Sequence, residues 1–220
     1  IGPYEILRNV KETDIKFVSK EKGEIKADTH FIHINSKYSI DEISKADVLI
    51  IPGSSIAFVR EMKDKKVLNW IKKIDLSTQK TVSVCTGSII LASTGVLKNK
   101  KATSHWKAVN MLTQFKVNPV RERIVSEGKY ITAAGVSAGI DMALFLVNEL
   151  KGEKAAKAAQ LSIEYDPNPM FNSGNYLNAE QDVIKLSEEI MENDAKKDLS
   201  LWEILVNARA LLKLKNNTDK

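Results

Sequence analysis

The stretch Thr81–Gly95, T-V-S-V-C-T-G-S-I-I-L-A-S-T-G, decides the fold. Thr81, Val82 and Val84 are β-branched, which suits a short buried strand. Ile89, Ile90, Leu91 and Ala92 then recur at helical spacing until Gly95 stops the run. Between them stand Cys85, Thr86 and Gly87, so the segment reads as strand, sharp turn and helix with a thiol on the turn. A cysteine lifted out of a sheet to a helix N-terminus meets free N–H groups and the positive end of the macrodipole, both of which favour its thiolate. Serine occupies the same geometry in nucleophile elbows, with a glycine two residues on to make room. Spacing alone leaves a second reading open, in which Cys85 is a small buried hydrophobe.

Working outward, Ala46–Pro52 (A-D-V-L-I-I-P) is a nearly unbroken apolar run that ends in Pro-Gly-Ser-Ser, as expected of a parallel strand buried on both faces. Val59, Met62, Val67, Trp70, Ile71 and Ile74 predict one amphipathic helix over Phe58–Ile74. Strands alternating with helices predict a parallel sheet covered on both faces, with sites beyond the carboxyl ends of its strands. The loop after Pro52 and the turn at Cys85 both fall at that end and are expected to converge.

Gly2-Pro3 predicts a helix start. Asp14–Ser19 and His30–Ile34 read as short strands, and Ala102–Trp106 as an extended piece leading into a helix that reaches Phe115. Arg123–Ser126 and Lys129–Ala133 face one another across Glu127-Gly128 as a hairpin. Helices are expected over Ala138–Leu150 and Glu153–Tyr165, then a loop over Asp166–Asn175. Two amphipathic helices follow, with seams at Val183, Leu186 and Ile190 and at Leu201, Leu205 and Leu212.

Composition narrows the function classes. A chain of 220 residues with 43% apolar content builds its core without staples. One cysteine excludes an internal disulfide or a multi-cysteine zinc cluster and fits a reducing, cytoplasmic setting. The 33 basic and 28 acidic side chains are interleaved, so the net charge of +5 describes a solvated surface with no nucleic-acid partner. Ile131–Leu150 carries Asp141 and turn-prone Gly135, Ser137 and Gly139, which predicts a strand and a helix in place of a membrane span. His30 and His33, three apart in a strand, point to opposite faces and make a poor metal pair.

V-L-I-I-P-G-S and V-C-T-G-S-I-I-L-A-S-T-G, with A-T-S-H-W downstream, resemble the ThiJ/PfpI superfamily, relatives of class I glutamine amidotransferases. I-T-A-A-G-V-S-A-G-I-D-M-A-L and Q-L-S-I-E-Y-D-P-N-P-M-F-N-S-G resemble its isonitrile hydratase branch in particular. The resemblance runs from Gly2 to about Gly174. It implies a flavodoxin-like three-layer α/β sandwich with a mainly parallel sheet over residues 1–175 and a C-terminal helical extension over 176–220. It also implies a homodimer, a small-molecule substrate, no metal or cofactor, and Cys85 as nucleophile. Thr86 joins it as a candidate catalytic residue, orienting water or an acid, with helix capping as its other reading. Gly53, Ser54 and His105 are the candidate oxyanion and substrate-binding residues, and His105 has a hydrogen-bonded structural role as its alternative.

The chain also departs from the superfamily pattern. Thr86 stands where PfpI-like proteases carry histidine, which argues against peptidase activity. Ser54 replaces the second glycine of a Pro-Gly-Gly loop and, if that position has positive φ, must tolerate it or shift the loop. The superfamily's acidic partner of the cysteine precedes the Gly-Pro pair, so the chain is expected to have an incomplete N-terminus; Glu5 is a poor substitute. The expected chemistry is hydration of an isonitrile to an N-substituted formamide. A glyoxalase or deglycase acting on carbonyl compounds, and a non-enzymatic redox or ligand sensor, are the alternatives. The residues after Gly174 in this sequence are expected to lack a regulator's DNA-binding domain.

Overall fold

The computed structural model describes residues 1–27 and 31–198. The chain opens on α1 (Gly2–Leu7), with Pro3 in the first turn where its missing N–H costs nothing. Short strands follow: β1 (Val18–Ser19), β2 (Gly23–Lys26), β3 (His33–Ser36) and β4 (Tyr38–Ser39). The central part holds β5 (Val48–Ile51), α2 (Phe58–Glu61), α3 (Lys65–Asp75), β6 (Lys80–Val84) and α4 (Gly87–Ser93). Next come β7 (Lys101–Ala102), a 3-10 helix (Val109–Phe115), β8 (Asn118–Pro119), β9 (Ile124–Glu127) and β10 (Tyr130–Ala133). The helices α5 (Val136–Lys151), α6 (Glu153–Ser162) and α7 (Gln181–Asp198) follow among the described residues.

The main sheet has the order β5-β6-β10-β9, in which β5, β6 and β10 run parallel and β9 is antiparallel to β10. β6 is central and almost wholly buried, as its β-branched sequence requires. One face of the sheet is covered by α2, α3, α4 and the 3-10 helix, around Ile71, Ile74, Ile89, Leu91 and Leu112. The other face is covered by α5, around Val82, Ile131, Met142 and Leu146, and beyond it by α1 and α6, which close on Ile6 and Val147. Each such aliphatic side chain contributes roughly 1.5–3 kcal/mol when fully buried. The result is the flavodoxin-like three-layer sandwich with C-terminal helical structure. β1 and β4 stand apart as a parallel pair, so β5 forms the outer strand of the main sheet.

Several expected elements are corrected. The helix over 58–74 is two helices, because the Asp64 carboxylate accepts from Lys66 N and Val67 N and so caps a new start at α3. The strand expected over 14–19 forms only at β1, the extended piece at 102–106 only at β7, and the helix to Phe115 is 3-10. α6 stops at Ser162, before the expected Tyr165: Glu164 turns left-handed (φ 52°) and Tyr165 Oη donates to Asp141 Oδ1 at 2.6 Å. The hairpin over Glu127-Gly128 forms, with Gly128 at φ 66°. His30 and the Leu201, Leu205 and Leu212 seam lie outside the described residues.

The amino end of the sheet is sealed by a polar cluster. Buried Asp75 accepts from Thr81 Oγ1 (2.6 Å) and Tyr130 Oη (3.1 Å) and pairs with Lys129 (3.1 Å). Burial first, and then the Asp75 charge, push the Tyr130 phenol up to about 12, so it stays a donor. The carboxyl end is left for chemistry.

Candidate active site

Cys85 sits on the turn between β6 and α4 with φ 56°, a left-handed conformation that costs a non-glycine residue about 1–2 kcal/mol. Four hydrogen bonds hold it there. Cys85 N donates to Ala133 O on the neighbouring strand (2.9 Å), while Cys85 O accepts from Ser88 N (3.3 Å), Ser88 Oγ (3.0 Å) and Ser104 Oγ (3.0 Å). A non-glycine residue kept left-handed by its surroundings is a strained backbone position. The thiol is half-buried.

Gly87 follows because nothing larger fits: a Cβ there would lie 2.3 Å from Ile51 O and 2.7 Å from Pro52 O. The loop after β5 therefore rides directly on the start of α4. Gly53 meets the same limit, since its Cβ would be 2.7 Å from Cys85 Cβ and 2.9 Å from Thr86 N. The predicted convergence of the two loops is real, and close approach explains the glycine at 53. Ser54 is absent from the positive-φ residues, so the chain needs no second glycine for backbone freedom. Its hydroxyl instead accepts from Phe58 N at 2.7 Å, tying the loop to α2.

Thr86 makes no side-chain cap, which overturns the capping alternative. Its hydroxyl accepts from Ser54 N (2.9 Å) and donates to Ser54 O (2.7 Å). Two consequences follow for the site. The Thr86 hydroxyl proton is committed to protein, and the Ser54 amide is withdrawn from the donors open to a ligand. Among the described residues no protein acceptor takes the Gly53 or Thr86 N–H, so these are the amides beside the thiol. Glu5, one turn into α1, is ion-paired with Arg8 at 2.6 Å.

Beyond Ser104 lies a cleft of about 260 Å³. It is lined by Ser104, a hydrogen-bond partner of Cys85, by Ala134, next to the partner Ala133, and by His105, Trp106, Glu122 and Tyr176. Cys85 is not among the lining residues; its backbone carbonyl reaches the cleft through Ser104. His105 Nδ1 accepts from Lys107 N (3.4 Å), which leaves the ring proton on Nε2. Burial, and secondarily the Lys107 charge, hold its pKa below the usual histidine value, so the ring is neutral at pH 7. Tyr176 was not anticipated from the sequence; it stacks on Trp106 across 70 residues of chain with no local pattern to announce it. Among the described residues no cluster of metal-ligating side chains occurs, and His33 instead lies 2.8 Å from Glu24. No described helix is long and apolar enough to cross a membrane.

The DJ-1/PfpI family model matches residues 1–149. Isonitrile hydratase of Pseudomonas putida is 32% identical over 207 residues, covering 89% of this chain and 90% of that enzyme. A ThiJ/PfpI family protein from Pseudomonas syringae superposes with a TM-score of 0.83 at 32% identity, over 90% of this chain and 81% of that one. The deglycase PfpI of Pyrococcus furiosus is 26% identical over 135 residues, 60% of this chain and 80% of its own length.

Proposed function

The chain belongs to the DJ-1/PfpI family, and from that premise we propose that it is a cysteine-dependent hydratase that converts an isonitrile to an N-substituted formamide. The observation that carries the reading is the left-handed Cys85 turn, with the Gly53 loop packed against it, in a chain similar to an isonitrile hydratase along nearly its whole length.

An isonitrile carbon accepts a soft nucleophile and takes up a proton at the same atom. Cys85 sulfur adds to that carbon as a proton is delivered to it, giving a thioimidate. Water then adds to the C=N bond, and the C–S bond breaks to release the formamide and return the thiol. The Thr86 and Gly53 amides are the donors for charge developing beside the sulfur, and removing one such donor typically costs ~10²–10³ in rate. His105 and Glu122 are the titratable groups on the cleft able to move the proton. Thr86 is a positioning residue in this scheme, because both hydrogen bonds of its hydroxyl go to Ser54. α7 (Gln181–Asp198) is the described part of the proposed helical extension, and a reducing compartment keeps the thiol available.

The test mixes reduced full-length protein with an alkyl and an aryl isonitrile and follows formamide by mass spectrometry. Formamide from the wild type, and none from Cys85→Ala with an unchanged fold, is the expected result. Absence of formamide with both substrates defeats the proposal, and methylglyoxal consumption in its place would favour the deglycase reading.

A further inference from the structure

Three aromatic rings from two distant parts of the chain form one wall of the cleft beside Cys85. Trp106 and Tyr176 stack with centroids 5.2 Å apart and planes 18° from parallel, and the His105 ring lies 5.5 Å from Trp106. The Arg121 guanidinium lies 4.8 Å from the Tyr176 ring centre and donates to Trp106 O (3.2 Å), which pins the stack in place. Such a pre-ordered aromatic surface loses little entropy when a ligand packs on it.

The charges on and beside this cleft cancel in sum, Arg121 and Arg123 against Glu122 and Asp141, and both guanidinium groups are bonded within the protein. Arg121 also donates to Asn110 Oδ1 (3.4 Å), while Arg123 is paired with Asp141 and donates to Ser137 Oγ (3.2 Å). Glu122 adds a negative charge to the same wall, and the His105 ring is neutral. An anionic ligand would have to displace these internal partners, whereas an uncharged one leaves them intact. Size fits as well. A cavity of about 150 Å³ holds benzene, so a cleft of about 260 Å³ has room for one ring and a small polar head.

We infer that this cleft is the pocket for the substrate's organic substituent, and that Trp106 and Tyr176 select an uncharged group bearing one aromatic ring over a short alkyl group or an anion. The inference deepens the hydratase reading and rests on it. Tyr176 is the specificity determinant best suited to a test, because it is 38% exposed on a loop and its truncation leaves the core untouched.

Calorimetric titration of the full chain with N-phenylformamide, N-methylformamide and benzoate reads binding without needing turnover. N-phenylformamide should bind at least tenfold more tightly than either of the others. Tyr176→Ala should erase that preference in a protein that still unfolds in one cooperative transition, with Tyr176→Phe retaining it. Equal binding of the three, tighter binding of benzoate, or a preference that survives in Tyr176→Ala overturns the inference. Isonitrile turnover measured in parallel separates the two levels: selective N-phenylformamide binding without turnover keeps the cleft assignment and removes the hydratase reading. Turnover without ring preference does the reverse.

Discussion

Thr86 and Ser54 are joined twice, the Thr86 hydroxyl accepting from the Ser54 amide at 2.9 Å and donating to the Ser54 carbonyl at 2.7 Å. One side chain thus holds the loop after β5 against the Cys85 turn. Thr86→Val keeps the shape and removes both bonds, leaving two partly buried backbone groups unpaired at about 1–3 kcal/mol each. It should lower the thermal midpoint and reduce turnover at least tenfold, and Thr86→Ser should restore both. Calorimetry and a formamide assay check this; a Thr86→Val protein with wild-type stability would show that the double bond holds nothing.

The two glycines that let the loops meet should fail differently. Gly87→Ala drives a methyl into the Ile51 and Pro52 carbonyls at the end of a buried strand, so it should destabilise the whole domain by about 1–3 kcal/mol or more. Gly53 is exposed and its clash is with Cys85 and Thr86, so Gly53→Ala should shift the loop and suppress catalysis with little change in melting. Denaturant titration beside turnover separates the two outcomes.

Stability should depend on pH at both ends of the scale, with opposite signs. His105 is held below its ordinary value of about 6.5 by burial and by Lys107, so the unfolded chain binds its proton at higher pH than the folded chain does. Its contribution is complete above about pH 6.5 and is lost as pH falls from there through the lowered folded value. His105→Gln should flatten that decline. Tyr130 is raised, so its contribution is complete below its ordinary value of about 10 and is lost as pH rises toward about 12. Tyr130→Phe should remove this alkaline decline and cost about 1.5–3 kcal/mol at neutral pH, the usual worth of a hydrogen bond to a charged group. Unfolding curves across pH test both.

Two buried serines near Cys85 should respond in opposite directions. The Ser83 hydroxyl is fully buried with no hydrogen-bond partner among the described residues, so Ser83→Ala should leave stability unchanged or raise it by about 1 kcal/mol. Ser104 donates to the Cys85 carbonyl, so Ser104→Ala should cost about 0.5–1.5 kcal/mol and lower turnover by loosening the turn. Equal effects would remove the distinction drawn between them.

A second copy of the chain is the expected occupant of the exposed apolar stripe on α7. Val183, Leu186 and Ile190 fall at helical spacing and lie between 39% and 57% exposed. Light scattering should give twice the mass of one chain, and Leu186→Glu with Ile190→Glu should weaken that association; a wild-type monomer at micromolar concentration would refute it.

What could be read directly from the residues was local in origin. The β-branched run of β6, the apolar period of α4 and the intervening Cys-Thr-Gly depend on neighbours within one turn or one pleat, and they marked the strand, turn and helix without reference to the rest of the chain. The hairpin at Gly128 and the Pro3 helix start were legible for the same reason. The division of the helix over 58–74 was also locally coded, since Asp64 two residues before Lys66 is an N-cap signal that apolar spacing masked.

Tertiary structure decided the rest, because the deciding contacts join residues far apart in the chain. Thr86 reads equally as a catalytic hydroxyl or a cap until Ser54, 32 positions earlier, takes its hydroxyl. Gly53 and Gly87 show why they are glycine only when two loops are brought to within a methyl's width of each other. Tyr176 joins Trp106 only after α5 and α6 have carried the chain back across the sheet. Sequence period reports which face of an element is apolar; which distant group meets that face is set by how the layers pack.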